Sequence, residues 1–187
     1  MHPTHGNGAG AVTETLNRLV VDVPDYPEPG VVFKDITPVL ADPEGFAAVV
    51  EALGALGRGH DGETVVDKVI GMESRGFILG APVALALGVG FVPVRKVGKL
   101  PRETHAVSYA LEYGEATLEI HTDAVAPAER VLLVDDVLAT GGTAAATREL
   151  VEACGGEVVG LAVMIELGFL PGRQQFGPLP VTSLMIL

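Results

Sequence analysis

The chain has 187 residues, 48% of them hydrophobic and 19% charged, with a net charge of −12. That length and composition suit one domain with a full core and exclude a disordered chain, and no apolar run reaches the roughly 18 residues of a membrane helix. So negative a chain is also excluded as a partner for nucleic acid or anionic lipid, which reward clustered Lys and Arg.

Taken in chain order, residues 1–12 are rich in His and Gly and read as a mobile tail. They lack the positive segment and apolar core of a secretory signal, and His2 and His5 suit a tail better than a metal site. Residues 13–21 read as a short helix with Leu16, Leu19 and Val20 on one side. Pro24, Pro27, Pro29 and Gly30 then force an extended, turning segment. Asp42-Pro43-Glu44 is a helix start: a capping acid, Pro at the first helical position and an acid in the first turn. Phe46, Val49, Val50, Leu53 and Leu56 follow at helical spacing. Residues 68–71 read as the end of a buried strand, 80–87 as a helix and 89–94 as the next strand. Residues 107–112 and 116–121 alternate around Tyr113-Gly114, which suggests a hairpin. Residues 131–135 form a β-branched and Leu run typical of a central parallel strand. Residues 143–154 are helical, ending at Gly155-Gly156, and 158–165 form another buried strand. Strands alternating with helices imply a parallel sheet flanked by helices, with the hairpin inserted on that core. Cys154 is the single cysteine, so no intrachain disulfide forms and a reducing cytoplasm suits the chain.

The most informative stretch is residues 131–143, V-L-L-V-D-D-V-L-A-T-G-G-T. A buried strand ends at Asp135-Asp136, a small Gly-rich turn follows, and a helix begins. Ligands of open α/β sheets bind beyond the carboxyl ends of strands. A Gly-rich turn entering a helix presents unpaired N–H groups and the positive end of the helix dipole, which together hold a phosphate. Ala139, Thr140, Gly141, Gly142 and Thr143 make up that turn, with hydroxyl donors at both threonines. Adjacent strand residues point to opposite faces, so Asp135 and Asp136 are no glycosidase pair. They read instead as acceptors for the hydroxyls of a ribose. The plainer alternative is a strand end followed by a capped helix; the double acid beside the turn favours a ribose 5-phosphate site. A second feature is the basic cluster Arg95, Lys96, Lys99 and Arg102, which suggests a small anionic ligand or, on charge alone, a solvated loop. No G-x-x-x-x-G-K-[ST] loop is present, and Gly88-Val89-Gly90 lacks a third glycine and precedes a strand.

Residues 131–143 resemble the phosphoribosyl pyrophosphate signature of the type I phosphoribosyltransferase family: four apolar residues, two acids, then A-T-G-G-T. Three further segments resemble the adenine-using members of that family. They are P-G-V-V-F-K-D-I-T-P at 29–38, E-S-R-G-F at 73–77, and R-K-V-G-K-L-P at 95–101 running on to Tyr109 and L-E-Y-G at 111–114. The segment 166–173 also fits, and the likeness covers about residues 16–187. It implies the type I fold, with a flexible β-hairpin loop and a small N-terminal hood. Residues 13–187 then form a single domain behind the 1–12 tail.

The resemblance implies a purine salvage reaction in which adenine displaces pyrophosphate from phosphoribosyl pyrophosphate, giving AMP. It places the ribose 5-phosphate on Asp135, Asp136 and residues 139–143. It places the pyrophosphate on Ser74, Arg75, Lys96 and Lys99, and adenine against Val32, Phe33 and Lys34. Arg75 and Tyr109 take the catalytic positions. Mg²⁺ is expected to arrive with the substrate, with no direct protein ligand. A cytoplasmic homodimer, without nucleic acid or membrane partners, is the expected setting. For each residue an ordinary role competes: a surface Arg for Arg75, an exposed loop for Lys99 and Arg102, a core aromatic for Phe33, a hairpin aromatic for Tyr109. Relatives often carry an acid just before the loop tyrosine. Here Ala106-Val107-Ser108 precede Tyr109, so no general acid is assigned. The competing functions are a xanthine or hypoxanthine–guanine enzyme and a regulator of the same fold. The latter needs a DNA-binding module, for which the roughly 15 residues before the matched region are too few.

Overall fold

The structure, a computed structural model, describes residues 8–110 and 114–187. The tail histidines His2 and His5, and Leu111, Glu112 and Tyr113 of the hairpin turn, lie outside the described residues. Beside the expectation of one domain over 13–187 stands a grouping of the chain into two compact units, Met1–Ala52 and Leu53–Leu187.

The first unit opens with α1 (Gly8–Leu19). This helix starts within the segment read as tail and ends before residue 21. Ala9 and Ala11 extend it forward as good helix formers. Val21 is withdrawn from it by pairing with Asp35, because β1 (Val21–Pro24) and β2 (Val32–Asp35) form an antiparallel ribbon. The proline-rich segment is the ribbon's connection, tied by the Gly30 N–H donating to Asp25 Oδ1 at 2.8 Å. A short helix absent from the sequence reading follows, α2 (Thr37–Ala41). Asp35 Oδ1 accepts the Thr37 N–H at 2.9 Å ahead of it, and Pro38 sits in its first turn, where no N–H is needed. Then α3 (Pro43–Gly54) begins as the Asp-Pro-Glu signal requires. Asp42 Oδ1 accepts the Gly45 N–H at 2.7 Å.

The second unit is built on a seven-stranded sheet. Its strands are β3 (Lys68–Met72), β4 (Gly90–Lys96), β5 (Thr104–Ala110), β6 (Glu115–His121), β7 (Arg130–Leu138), β8 (Glu157–Glu166) and β9 (Val181–Ile186). Their order is β5-β6-β4-β3-β7-β8-β9. The neighbours from β4 through β9 run parallel, as expected. The hairpin adds two antiparallel strands at one edge, where Arg95 and Lys96 pair with Glu119 and Leu118. The edge strand β9 went unread, because V-T-S-L-M-I shows no clean alternation and sits half-buried.

Two helices flank this sheet on opposite faces. Helix α4 (Arg75–Leu87) starts five residues before the position read from the sequence. Its glycines discourage a helix by propensity, but packing requires them. A Cβ on Gly71 of β3 would stand 2.6 Å from the Gly76 carbonyl oxygen, and one on Gly76 would stand 2.8 Å from Asp135 Oδ1. The first turn of α4 therefore lies directly on β3 and β7. Since neighbouring strand residues face oppositely, Ile70 and Met72 point to the other side. There they join Val131, Leu133, Leu161 and Val163 in one core with Leu150 and Val151 of α5 (Gly142–Ala153). Full burial of each such side chain stabilises by about 1.5–3 kcal/mol. This packing fixes the carboxyl ends of β3 and β7, where the chemistry-bearing residues stand.

Candidate active site

The strand β7 delivers its two acids at its carboxyl end. Asp136 is 5% exposed, while Asp135 is half-buried. At the strand's end both line a cleft of about 440 Å³, with Glu73, Ser74, Arg75, Lys96, Ala139 and Thr143. Arg75 Nε lies 2.8 Å from Asp136 Oδ2, and Asp135 Oδ1 accepts the Asp136 N–H at 2.9 Å. Burial pushes the Asp135 carboxyl well above its usual range, and the neighbouring Asp136 charge pushes it further; Arg75 opposes them only in part. A carboxylate so placed is short of partners that stabilise its charge, and a pair of ribose hydroxyls supplies them.

Beyond the acids the chain turns through residues 139–143 into α5. Gly141 has φ of +85°, a left-handed conformation that glycine adopts without strain. The turn encloses a hollow of about 80 Å³ running from Asp135 to Ala144. Its amides at the start of α5 face the same way as the positive end of the helix dipole. The hairpin reaches this turn: Tyr109 Oη and Thr143 Oγ1 share a hydrogen bond of 3.0 Å. A Cβ on Gly142 would meet the Tyr109 ring at 2.9 Å.

The basic cluster is held by a carboxylate whose role the sequence did not reveal. Glu73, at the end of β3, accepts the Lys96 N–H at 3.0 Å and the Arg95 Nε–H at 3.3 Å, and is bonded by Lys99 Nζ. Burial alone would raise this carboxyl; the hydrogen bonds from Lys99 and the Lys96 amide, with the charges of Lys99 and Arg95, outweigh it and hold it below its ordinary value. The Glu73–Ser74 peptide is cis. Arg102, read with the same cluster, pairs instead with the exposed Asp123. The signal for Glu73 was present in E-S-R-G-F, but no spacing rule links it to a lysine 26 residues away.

The second unit thus brings together Ser74, Arg75, Lys96, Asp135, Asp136, Ala139 and Thr143 in one cleft, with Thr140, Gly141 and Gly142 in the adjoining hollow. Lys99 reaches Glu73 on its rim, and Tyr109 the turn. Val32, Phe33 and Lys34 belong to the first unit, on β2. There the Phe33 ring meets Tyr26 edge-on, with centroids 5.2 Å apart, and Lys34 Nζ lies 2.6 Å from Asp22 Oδ1. For a metal, the cleft offers carboxylate and hydroxyl oxygens, the hard donors Mg²⁺ takes, and two of the three acids are engaged by cations. Among the described residues no group of three or more His, Cys, Asp or Glu side chains could hold an ion. Those oxygen donors are of the kind that suits Mg²⁺.

Residues 39–177 match the family model of the phosphoribosyl transferase domain. The chain is 67% identical to an adenine phosphoribosyltransferase of Nocardioides sp. over 96% of its own length and 97% of the relative's. Among solved structures it is similar to the adenine phosphoribosyltransferase of Rhodothermus marinus, with TM-score 0.88 and 53% identity, covering 95% of this chain and 99% of that one. It is similar also to the Saccharomyces cerevisiae enzyme, solved with an imino-altritol bisphosphate and adenine. There the TM-score is 0.88 and the identity 39%, covering 94% and 99% of the two chains.

Proposed function

The chain belongs to the phosphoribosyltransferase family, and from that premise we propose that it transfers the 5-phosphoribosyl group of phosphoribosyl pyrophosphate to adenine, giving AMP and pyrophosphate. The observation that carries this reading is the juxtaposition at the end of β7: two carboxylates, a phosphate-sized turn and Arg75 around one cleft.

The reaction makes three physical demands. The 5-phosphate needs oriented donors, and the amides and hydroxyls of residues 139–143 provide them. The ribose needs acceptors for its hydroxyls, and Asp135 and Asp136 provide these. As the bond to pyrophosphate breaks, the sugar acquires oxocarbenium character, as in glycoside chemistry, and the leaving group gathers negative charge. Arg75 donates to that charge from the cleft, with Lys96 and Lys99 beside it. Mg²⁺, bound to the substrate's phosphates, neutralises part of the same charge. Asp135 and Asp136 position it through the ribose hydroxyls or through water. Tyr109 closes the hairpin over the reactants and excludes water from the reactive sugar.

Adenine is assigned to Val32, Phe33 and Lys34, with Phe33 as the stacking face and backbone groups reading the base edge. A carbonyl facing the C6 amino group and an N–H facing N1 cannot swap roles, so a 6-oxopurine puts acceptor against acceptor and donor against donor. Sites of this kind discriminate by about 10⁴-fold or more. The enzyme is assigned to the cytoplasm as a homodimer of a single functional domain; no helix among the described residues is long and apolar enough to cross a membrane. An assay of AMP formation with Mg²⁺, scored against hypoxanthine by competition, tests the reading. A kcat/KM ratio near unity, or one favouring hypoxanthine, transfers the chain to the 6-oxopurine enzymes and leaves the phosphoribosyl site standing.

A further inference from the structure

Behind the phosphate turn lies a second network that lines neither the cleft nor the adjoining hollow. Glu166 ends β8 and is 6% exposed. Arg173 grips it with both arms of the guanidinium: Nε donates to Oε1 at 2.9 Å, and the terminal nitrogen to Oε2. The same terminal nitrogen donates to Ser183 Oγ at 3.1 Å, and the other donates to the Val181 carbonyl at 2.7 Å. Ser183 Oγ donates in turn to Glu166 Oε2. Arg173 thereby fastens residues 167–177 to two strands, β8 and β9. The hydrogen bond from Arg173 holds the Glu166 carboxyl below its usual range against the effect of burial, and Ser183 adds to it. A forked Arg–carboxylate pair fixes direction as well as distance.

What this grip controls is the neighbouring residue. Gly172 is packed so closely on the phosphate turn that a Cβ there would stand 2.1 Å from the Ala139 carbonyl oxygen. From the other side, a Cβ on Gly141 would stand 2.7 Å from the Gly172 carbonyl oxygen and 3.0 Å from the Gln175 side chain. Gly172 is bonded directly to Arg173, and consecutive Cα atoms are about 3.8 Å apart, so the place of Arg173 limits where Gly172 can lie.

We propose that Glu166, Arg173 and Ser183 form a positioning tether that holds Gly172 against residues 139–141 and so sets the geometry of the cradle for the 5-phosphate. The proposal rests on the reading of that turn as a phosphoribosyl site. It names positioning residues, since none of the three reaches the cleft. The tether is separable from folding, because Phe176, fully buried in the sheet's core, anchors the far end of the same segment.

The test is the substitution Arg173→Ala in the full chain. A misplacement of about 1 Å in a binding group costs up to about 100-fold. The expected result is a KM for phosphoribosyl pyrophosphate raised about tenfold or more, with KM for adenine unchanged and kcat altered far less. The affinity for ribose 5-phosphate alone, measured by calorimetry, falls by the same factor. Arg173→Lys keeps the charge but not the fork and recovers part of the loss; added guanidinium ion recovers part of it in Arg173→Ala. Should Arg173→Ala fail to fold, Gly172→Ala displaces the turn directly and carries the same signature. A folded Arg173→Ala protein with unchanged KM and ribose 5-phosphate affinity overturns the tether, as does an equal loss in KM for adenine. A native chain that neither binds ribose 5-phosphate nor forms AMP overturns the phosphoribosyl reading itself, which separates the two failures.

Discussion

The phosphate turn at residues 139–143 and the basic loop at residues 95–102 both meet negative charge in the proposed reaction, and different forces hold them. The turn is set by backbone against backbone, where Gly141 and Gly172 approach too closely for any side chain. The loop is set by charge against charge, where Glu73 gathers Lys99, Arg95 and the Lys96 amide. Close packing yields little, whereas cations that are themselves part-exposed can leave an ion pair for another anion. The turn is therefore a preformed cradle. On the proposed reaction, the loop is a set of cations held on an internal anion until phosphates replace it.

Substitutions on the two sides of that contrast sharpen it. The largest effect is expected for Gly141→Ala, which places a Cβ at a φ of +85° and 2.7 Å from the Gly172 carbonyl oxygen. kcat/KM for phosphoribosyl pyrophosphate should fall about 100-fold, the scale of a misplaced binding group. Retained activity in steady-state assays breaks the claim that the turn is rigid.

Next come the acids. Asp135→Asn with Asp136→Asn removes charge-assisted hydrogen bonds of about 1.5–3 kcal/mol each from the transition state, again read in kcat/KM. The single change Asp135→Asn separates function from stability. The folded pKa of Asp135 is raised above its ordinary 3.8. Its stability contribution is therefore present below that value and lost as pH rises through the folded pKa. Near neutral pH the carboxyl therefore burdens the free protein, and the neutral amide removes the burden while keeping an acceptor for the Asp136 N–H. Tm near neutral pH should rise while turnover falls, and the gain in Tm should vanish in acid. A lower Tm near neutral pH contradicts the assignment.

Smaller effects belong to the loop. Glu73→Gln keeps an acceptor for the Lys96 amide and releases two part-exposed cations, so pyrophosphate product inhibition should tighten a few-fold. The carboxyl's pKa is depressed below 4.5. Its hold on the loop is therefore complete above 4.5 and lost as pH falls through the lower folded value, which the NMR signal of the Lys96 amide, bonded to Glu73, will follow. The smallest effect is Arg102→Ala: its partner Asp123 is exposed, and neither Tm nor KM should move measurably.

Much of this arrangement was legible in the sequence because it is local. The run from Val131 to Thr143 spells a strand, two acids and a turn in order, and the structure keeps that order. The Asp42-Pro43-Glu44 signal starts α3 where capping chemistry puts it. What escaped is non-local. Helix α4 begins at Arg75 because Gly76 must slide beneath Asp135, which propensity cannot foresee. Glu73 finds Lys99 only when β3 and β4 are brought side by side, and Gly172 finds Ala139 only when β7 and β8 pair and the chain beyond β8 folds back. Tyr109 was singled out, but its hydrogen bond to Thr143, 34 positions on, needs the hairpin to lie over α5.

The sheet's far edge carries a consequence for how copies of this chain behave in a crowd. Strand β9, Val181–Ile186, pairs with β8 on one side and with no further strand among the described residues on the other. Its residues, V-T-S-L-M-I, include no charge and no proline, the usual guards of an open edge. Ile186 is 62% exposed at its end. A net charge of −12 sets long-range repulsion between two such edges. Colloidal stability thus rests on ionic strength: at about 0.1 M salt that repulsion reaches about 10 Å from the surface, and at about 1 M only about 3 Å. An acidic composition that excludes polyanionic partners thus also opposes pairing at this neutral edge.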